Sequence, residues 1–253
     1  MLLTNKTAVI YGGGGAIGGA VARAFAAEGA HVFLAGRTPA KLEKVASDIE
    51  SAGGRAETAV VDALDERAVD AHADDVASRT GSIDVSFNLI THGDVQGTAL
   101  AEMALADFEQ PVVNALRTNF LTTRAAARHM IARRSGVLLF FGGYGDPMPG
   151  YHLGGLQVAF QALDTLRRQL AGELGPYGIR ALTLQTAGVP DTIPDGVDAE
   201  WRDRIVKATE GRTMLKRAAS LEDVGRVAVF AASEHARSMT GTALNITAGA
   251  QAD

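Results

Sequence analysis

The sequence contains no cysteine among its 253 residues. This excludes disulfide bonds, thiolate nucleophiles and cysteine-ligated metal sites. No run of eighteen apolar residues predicts a transmembrane helix, and no cleavable signal pattern precedes the apolar segment at Thr7. The formal net charge of −5 gives no basic footprint for nucleic acid, and the six histidines lack the spacing of metal ligands. We therefore expect a soluble, unprocessed, cytoplasmic protein that binds no nucleic acid, membrane or metal.

Short apolar runs alternate with longer helical patterns along the whole chain. The runs predict strands at Thr7–Tyr11, His31–Ala35, Glu57–Val61, Val85–Leu89, Val137–Phe141, Arg180–Leu184 and Ala243–Ile246. The helical patterns lie at Ile17–Glu28, Pro39–Ser51, Glu66–Arg79, Asp107–Arg134, Leu156–Leu174 and Leu221–Ala232. Apolar residues on both faces of the strands are typical of buried parallel strands. The order predicts the α/β class, with a doubly wound (Rossmann) seven-stranded parallel sheet and helices on both faces.

No linker, repeat or low-complexity tract divides the chain, so we expect one domain over residues 1–253. Residues 186–214 interrupt the alternation with two prolines and a short helical pattern near Ala199–Ala208. An insertion at the carboxyl edge of such a sheet is where a substrate lid would lie. Thr38, Asp65 and Ser220 are the predicted helix caps.

A glycine-rich turn follows the first predicted strand. Glycines at such a turn allow the backbone to approach a pyrophosphate, which then lies at the positive end of the following helix. The predicted cofactor-binding residues in this turn are Gly12, Gly14, Gly15, Ala16, Ile17 and Gly18. The position between the first strand and the first helix favours nucleotide binding over a merely structural turn.

The end of the second predicted strand suggests which nucleotide binds. An NAD site usually has an acidic residue there for the ribose hydroxyls, but this chain has glycine followed by Arg37 and Thr38. Arginine can pair with a 2′-phosphate. NADP(H) is therefore favoured over NAD(H), the alternative being an exposed arginine in a loop.

The same turn resembles the T-G-x-x-x-G-I-G motif of the classical short-chain dehydrogenases/reductases, with Ala16 in place of the middle glycine. Val61-Asp62-Ala63 resembles the aspartate turn of that family, which meets the adenine, and Thr240–Leu244 resembles a later landmark. Asn88-Leu89-Ile90-Thr91 falls where the family has N-N-A-G. The resemblance spans essentially the whole chain and adds Asp62, Ala63, Asn88, Leu89 and Ile90 to the expected cofactor site.

The resemblance also implies a catalytic set that this chain lacks. The family uses a tyrosine as proton donor, a lysine four residues later, a serine at the end of the preceding strand and an asparagine in a proton relay. Alignment places Leu156 at the tyrosine position, Phe160 at the lysine position, Gly143 at the serine position and Ala115, beside Asn114, at the asparagine position.

The lysine cannot be recovered by shifting the alignment, because no lysine occurs between Lys44 and Lys207. None of the four tyrosines has a lysine four or seven residues later. Leucine and phenylalanine cannot transfer a proton, so family-type carbonyl reduction should be very slow.

Replacement proton donors are sought in the loop Gly142–Gly155, which contains Tyr144, Asp146, Tyr151 and His152. Tyr151 and His152 are the candidate catalytic residues, the alternative being ordinary surface residues. His92 and Asp94, after the fourth strand, are expected to have a loop role.

Three functions remain open. The first is an NADP-dependent oxidoreductase with a reassigned proton donor, or with chemistry that needs none, such as reduction of an activated C=C bond. The second is a catalytically silent protein that senses NADP or serves as a scaffold. The third is a non-redox lyase, isomerase or cyclase. The family resemblance also implies a homodimer or homotetramer, and the substrate is not identified by the sequence.

Overall fold

The chain forms a seven-stranded parallel sheet with strand order β3-β2-β1-β4-β5-β6-β7. The structure is a computed structural model, and it describes residues 1–144, 148, 151–194 and 196–252. The strands are β1 Thr7–Tyr11, β2 His31–Gly36, β3 Arg55–Val60, β4 Val85–Asn88, β5 Gly136–Gly142, β6 Ile179–Gln185 and β7 Thr242–Asn245. The helices are α1 Ala16–Ala27, α2 Pro39–Ser51, α3 Glu66–Thr80, α4 Leu105–Arg133, α5 Leu156–Leu174, α6 Ala199–Arg212 and α7 Leu221–Ala232. This confirms the predicted doubly wound α/β fold.

Alternate residues of each central strand enter two separate hydrophobic cores. In β1, Ala8 and Ile10 face the core under α1, α2 and α7, whereas Val9 and Tyr11 face the core under α3, α4 and α5. Because both faces of the sheet are covered, the central strands are apolar throughout. The edge strands differ from the prediction: β3 and β7 contain exposed residues as well as buried or half-buried ones, since each has a neighbouring strand on one side only.

Two of the three predicted helix caps are confirmed. The Asp65 carboxylate accepts hydrogen bonds from the backbone N–H groups of Arg67 and Ala68, at 2.9 and 3.3 Å. Ser220 and Asp223 form a reciprocal capping box at the start of α7. The prediction for Thr38 is wrong. Thr38 precedes α2, but its side chain makes no capping hydrogen bond. Pro39 at the first helical position favours the start of this helix instead.

Some boundaries also differ from the sequence prediction. β3 begins at Arg55, two residues before the predicted start, because this polar edge segment pairs with β2 from His31 onward. β4 ends at Asn88, whose side-chain carbonyl accepts a hydrogen bond from the Ile90 N–H at 3.1 Å and turns the chain out of the sheet. The helix in the 186–214 segment continues to Arg212.

His72 on α3 is a polar residue inside the second core. It is 9% exposed, and its ring lies edge-on to Tyr11 with centroids 5.9 Å apart. Neither ring nitrogen has a hydrogen-bond partner within the part of the chain that the structure describes. Burial lowers the pKa of His72 from its ordinary value of 6.5, although nearby Asp75 partly opposes the shift. The neutral imidazole is therefore the form that the fold accommodates.

We expect His72→Leu to raise the free energy of unfolding by about 1 kcal/mol at pH 8, because two unpaired buried nitrogens are removed. The gain should widen as the pH falls below 6.5, since the unfolded parent protein takes up a proton on His72 that the folded protein resists. Urea unfolding at pH 5, 6 and 8 measures this. Exposed His235→Leu is the control, and an equal gain at every pH would contradict the titration argument.

Candidate functional site

A large cavity lies at the carboxyl ends of the strands, where the strand order turns from β1 to β4. This is where doubly wound sheets bind ligands. The cavity has a volume of about 690 Å³. Its walls come from the ends of β4, β5 and β6, the start of α5, and the 186–214 segment. The lining is mostly apolar, with a few polar side chains at defined points.

The predicted glycine turn connects β1 to α1 beside this cavity. Gly12 has a φ of +78°, and a Cβ there would lie 2.5 Å from the carbonyl oxygen of Leu89. A Cβ at Gly18 would lie 2.2 Å from the carbonyl oxygen of Gly12. The backbone therefore packs against itself too closely for any side chain at either position. As a result, the start of α1 is held directly after the end of β1.

The amides at the start of α1 have no side-chain cap. The N-cap residue is Gly15, and the first turn, which includes Ala16 and Ile17, contains no acidic residue. Uncapped N–H groups and the helix dipole together favour an anion. Gly14 lies against α2, since a Cβ there would be 2.8 Å from Cβ of Lys41. The predicted pyrophosphate site thus consists of a closely packed glycine turn and an uncapped helix start.

The ends of β2 and β3 lie on the same edge of the sheet as this turn. Arg37 and Thr38 are exposed directly after β2, and no described residue forms an ion pair with the Arg37 guanidinium. Asp62 is exposed after β3, where its carboxylate accepts a hydrogen bond from the Leu64 N–H at 3.0 Å, while Ala63 is buried. The structure therefore brings these predicted residues to one rim.

The segment after β4 lies against the glycine turn, since a Cβ on Gly12 would meet Leu89 and Ile90. Asn88, Leu89 and Ile90 line the cavity. Asn88 is buried and donates a hydrogen bond from its side-chain amide to the Thr122 hydroxyl on α4, at 3.2 Å. With its carbonyl bonded to the Ile90 N–H, this side chain holds the turn rather than pointing a free polar group at a ligand.

Three of the four positions that the alignment assigned to catalysis line the cavity: Gly143, Leu156 and Phe160. The fourth, Ala115, is fully buried in the core. Its neighbour Asn114 instead donates a hydrogen bond to the backbone carbonyl of His92 at 3.0 Å. The wall formed by β5 and α5 therefore has no polar side chain at Gly143, Leu156 or Phe160.

The Phe160 ring occupies the space that a side chain at position 143 would need. A Cβ on Gly143 would lie 2.8 Å from Cε2 and 3.1 Å from Cδ2 of the Phe160 ring. At Gly142 the same test gives 3.6 Å to Cδ1 of Phe160 and 3.5 Å to Thr183, which is ordinary contact. The position of the Phe160 ring therefore requires a residue without a side chain at position 143.

Of the predicted proton donors, Tyr151 and Tyr144 line the cavity. His152 is exposed, has a φ of +47°, and is not among the lining residues. Asp146 lies outside the described residues. Candidate Tyr151 is therefore positioned to meet a ligand.

His92 is the residue that sequence reasoning passed over. It lines the cavity, and its ring lies 6.0 Å from that of Phe160 in an edge-on arrangement. Burial lowers its pKa from 6.5, and Asp94 partly opposes this shift. The available signal was its place directly after the N-N-A-G-like stretch, at the carboxyl end of a central strand.

The 186–214 segment forms the wall opposite α5. Ile205, Thr209 and Arg212 lie on one face of α6 and line the cavity. The Arg212 guanidinium lies 4.6 Å from the centroid of the Tyr151 ring. The segment thus meets the loop after β5 across the cavity mouth.

Two kinds of feature are absent from the described residues. No helix in that part of the chain is long and apolar enough to cross a membrane. Within the same residues, no group of three or more histidine or acidic side chains is arranged to hold a metal ion.

A comparison with family models decides which family this fold and motif set represent. The family described as enoyl-(acyl carrier protein) reductase matches residues 14–251. The chain belongs to the short-chain dehydrogenase/reductase family. It is accordingly an oxidoreductase-family protein of the class that binds a nicotinamide cofactor.

Relatives of this short-chain dehydrogenase/reductase match over nearly the full length. Momilactone A synthase of Oryza sativa subsp. japonica is 31% identical over 98% of this chain and 90% of its own. The meso-2,3-butanediol dehydrogenase of Serratia marcescens is 29% identical over 100% and 97%. A dehydrogenase/reductase structure from Sinorhizobium meliloti 1021 superposes with a TM-score of 0.84 at 28% identity, covering 99% of this chain and 96% of that one.

We expect Gly143→Ala to lower the free energy of unfolding by about 1–3 kcal/mol, because the added methyl must displace the Phe160 ring. Gly142→Ala is the matched control and should cost less, since its Cβ makes only ordinary contacts. Combining Gly143→Ala with Phe160→Leu should cost less than the two single changes summed. Additive losses in denaturant unfolding would show that the two residues do not share space.

Proposed function

We propose that the protein is an NADP(H)-binding oxidoreductase whose active site is non-standard for its family. The observation that carries the proposal is the wall of Gly143, Leu156 and Phe160. These residues line the cavity where the resemblance places the serine, tyrosine and lysine, and none of them can donate or accept a proton. Family-type carbonyl reduction through a tyrosine–lysine pair is therefore not the chemistry we propose.

Cofactor binding is supported by the turn between β1 and α1. Its close backbone approach and uncapped helix start suit a pyrophosphate, and Asp62 with Ala63 lies on the rim proposed for adenine. When bound, NADP(H) supplies or accepts the hydride. Several relatives are named as dehydrogenases or reductases, which supports redox chemistry in this protein.

The preference for NADP(H) is supported by the end of β2. Gly36 takes the place of an acidic residue, and exposed Arg37 and Thr38 follow it. Lys41, exposed in the first turn of α2, adds a second positive charge to this segment. Two cations and a hydroxyl suit a 2′-phosphate, which a carboxylate at position 36 would repel.

Calorimetric titration with NADPH and NADH tests this preference. NADPH should bind at least tenfold more tightly than NADH, and Arg37→Asp should remove most of that difference because a charge-assisted pair with the 2′-phosphate is lost. Exposed Arg237→Asp changes the charge by the same amount and should leave both affinities unchanged. If neither nucleotide binds the parent protein, the oxidoreductase proposal fails.

The proton in this active site comes from Tyr151, His92 or solvent. Tyr151 and His92 line the cavity, whereas exposed His152 is the weaker of the earlier candidates. The lowered pKa of His92 keeps it neutral near pH 7, where it can accept a proton from an alcohol. Reduction of an activated C=C bond needs no proton donor from the protein, since solvent can supply the proton after hydride transfer.

A panel of activated alkenes, ketones and secondary alcohols, followed by NADPH absorbance, tests the chemistry. If His92 is the base in alcohol oxidation, the rate should fall as the pH drops through its lowered pKa, below 6.5, and His92→Gln should lose roughly 10²–10⁴ in rate. Tyr151→Phe should give that loss instead if the tyrosine transfers the proton. Tight NADPH binding with no turnover would favour the catalytically silent alternative, and conversion without NADPH oxidation the non-redox one.

We also retain a homodimer or homotetramer as part of the proposal. Val113 and Phe120 on α4 and Val158 on α5 are each about half exposed. Large apolar side chains on these two packed helices support an interface between copies of the chain.

A further inference from the structure

Arg212 differs from every other residue around the cavity. Among the described residues that line it, Arg212 is the only lysine or arginine. The remaining wall near it is apolar or uncharged, including Leu153, Leu156, Val189 and Ile205. A lone cation at the mouth of an apolar cavity is a feature that a ligand can use.

The guanidinium of Arg212 is held without being neutralised. It forms no ion pair with any carboxylate in the described ranges, and the Tyr151 ring lies under it at 4.6 Å. A cation–π contact fixes the plane of the guanidinium but consumes none of its N–H donors. The carboxylate on the cavity wall, Asp94, accepts a hydrogen bond from the Gln96 side chain at 2.6 Å.

We propose that Arg212 recognises the anionic end of an amphipathic substrate whose apolar body enters the cavity. Both Arg212 and Tyr151 are partly exposed, so the charged end stays at the mouth, near water, while the body contacts Leu156 and Phe160. A carboxylate or a phosphate monoester has the shared chemistry that a guanidinium binds through paired N–H···O hydrogen bonds.

The inference rests on the proposed function only in taking this cavity as the substrate site. It goes further in naming the substrate class and the residue that selects it. Because Arg212 is on α6, an anion that binds there also joins the 186–214 segment to the opposite wall.

Intrinsic tryptophan fluorescence is one way to follow such binding. Trp201 is the single tryptophan and lies on α6, eleven residues before Arg212 and near the same helix face. Octanoate, octyl phosphate and neutral octanamide are titrated into the full-length protein, with and without NADPH. Calorimetry on the same samples gives the affinities independently.

We expect octanoate or octyl phosphate to bind roughly tenfold or more tightly than octanamide, as a charge-assisted hydrogen bond implies. Arg212→Gln should remove that advantage and leave octanamide binding unchanged. Arg212→Lys should retain part of it, because the charge remains without the planar fork. Arg204→Gln is the matched control, since Arg204 is exposed on the same helix, carries the same charge and does not line the cavity.

Two substitutions at Tyr151 distinguish its support of Arg212 from proton transfer. Tyr151→Phe keeps the ring under Arg212 and should preserve anion binding, whereas Tyr151→Leu should weaken it several-fold. Tighter octyl phosphate indicates a phosphate monoester as the natural end group, and tighter octanoate indicates a carboxylate.

Equal affinity for charged and neutral probes, discrimination that survives Arg212→Gln, or no binding of any probe would overturn the inference. NADPH affinity is measured in the same titrations. A protein that binds NADPH but shows no charge discrimination refutes the role of Arg212 alone, whereas one that binds the anions but not NADPH refutes the proposed function.

Discussion

The contact of Gly18 with the Gly12 carbonyl is the constraint on which the rest of this site depends. A Cβ at position 18 would lie 2.2 Å from that oxygen, so the helix start and the strand end meet backbone to backbone. This contact fixes where α1 begins, and α1 in turn packs extensively against α7 on one face of the sheet. The Gly15 N–H donates to the same carbonyl at 3.0 Å, and no side chain caps the start of α1 that follows. The contact that holds the helix in place therefore also sets where the proposed pyrophosphate would meet it.

The wall formed by β5 and α5 is determined by side-chain packing. Gly143 and Phe160 are complementary in volume, since the ring fills the space that a Cβ at 143 would need. A side chain at position 143 and the Phe160 ring are therefore incompatible without rearrangement. The two residues pack as a unit. Because His92 contacts the same ring, its burial and its lowered pKa depend on that packing as well.

The fold was predictable because its signal is repeated in every strand and helix. Apolar residues on both faces of β1, the glycine turn and the Asp65 and Ser220 caps are local patterns that the structure confirms. The site was predictable only where it uses a family motif. The contact of Arg212 with Tyr151 joins residues sixty-one positions apart, and no local pattern indicates it. His92 was likewise undervalued, since its burial depends on Phe160, from a distant helix.

The distribution of polar groups around the cavity has a chemical consequence. The rigid wall, built on β5 and α5, is apolar, whereas Tyr151, His92 and Arg212 stand on loops or on the helix of the 186–214 segment. Groups on such segments take up their working geometry less firmly than groups on a strand end or a long packed helix. Under the proposed function, this fixed wall would hold the apolar body of a substrate beside the bound nicotinamide. Proton transfer and substrate selection would then fall to Tyr151, His92 and Arg212, and Arg212 and Tyr151 already meet across the cavity mouth.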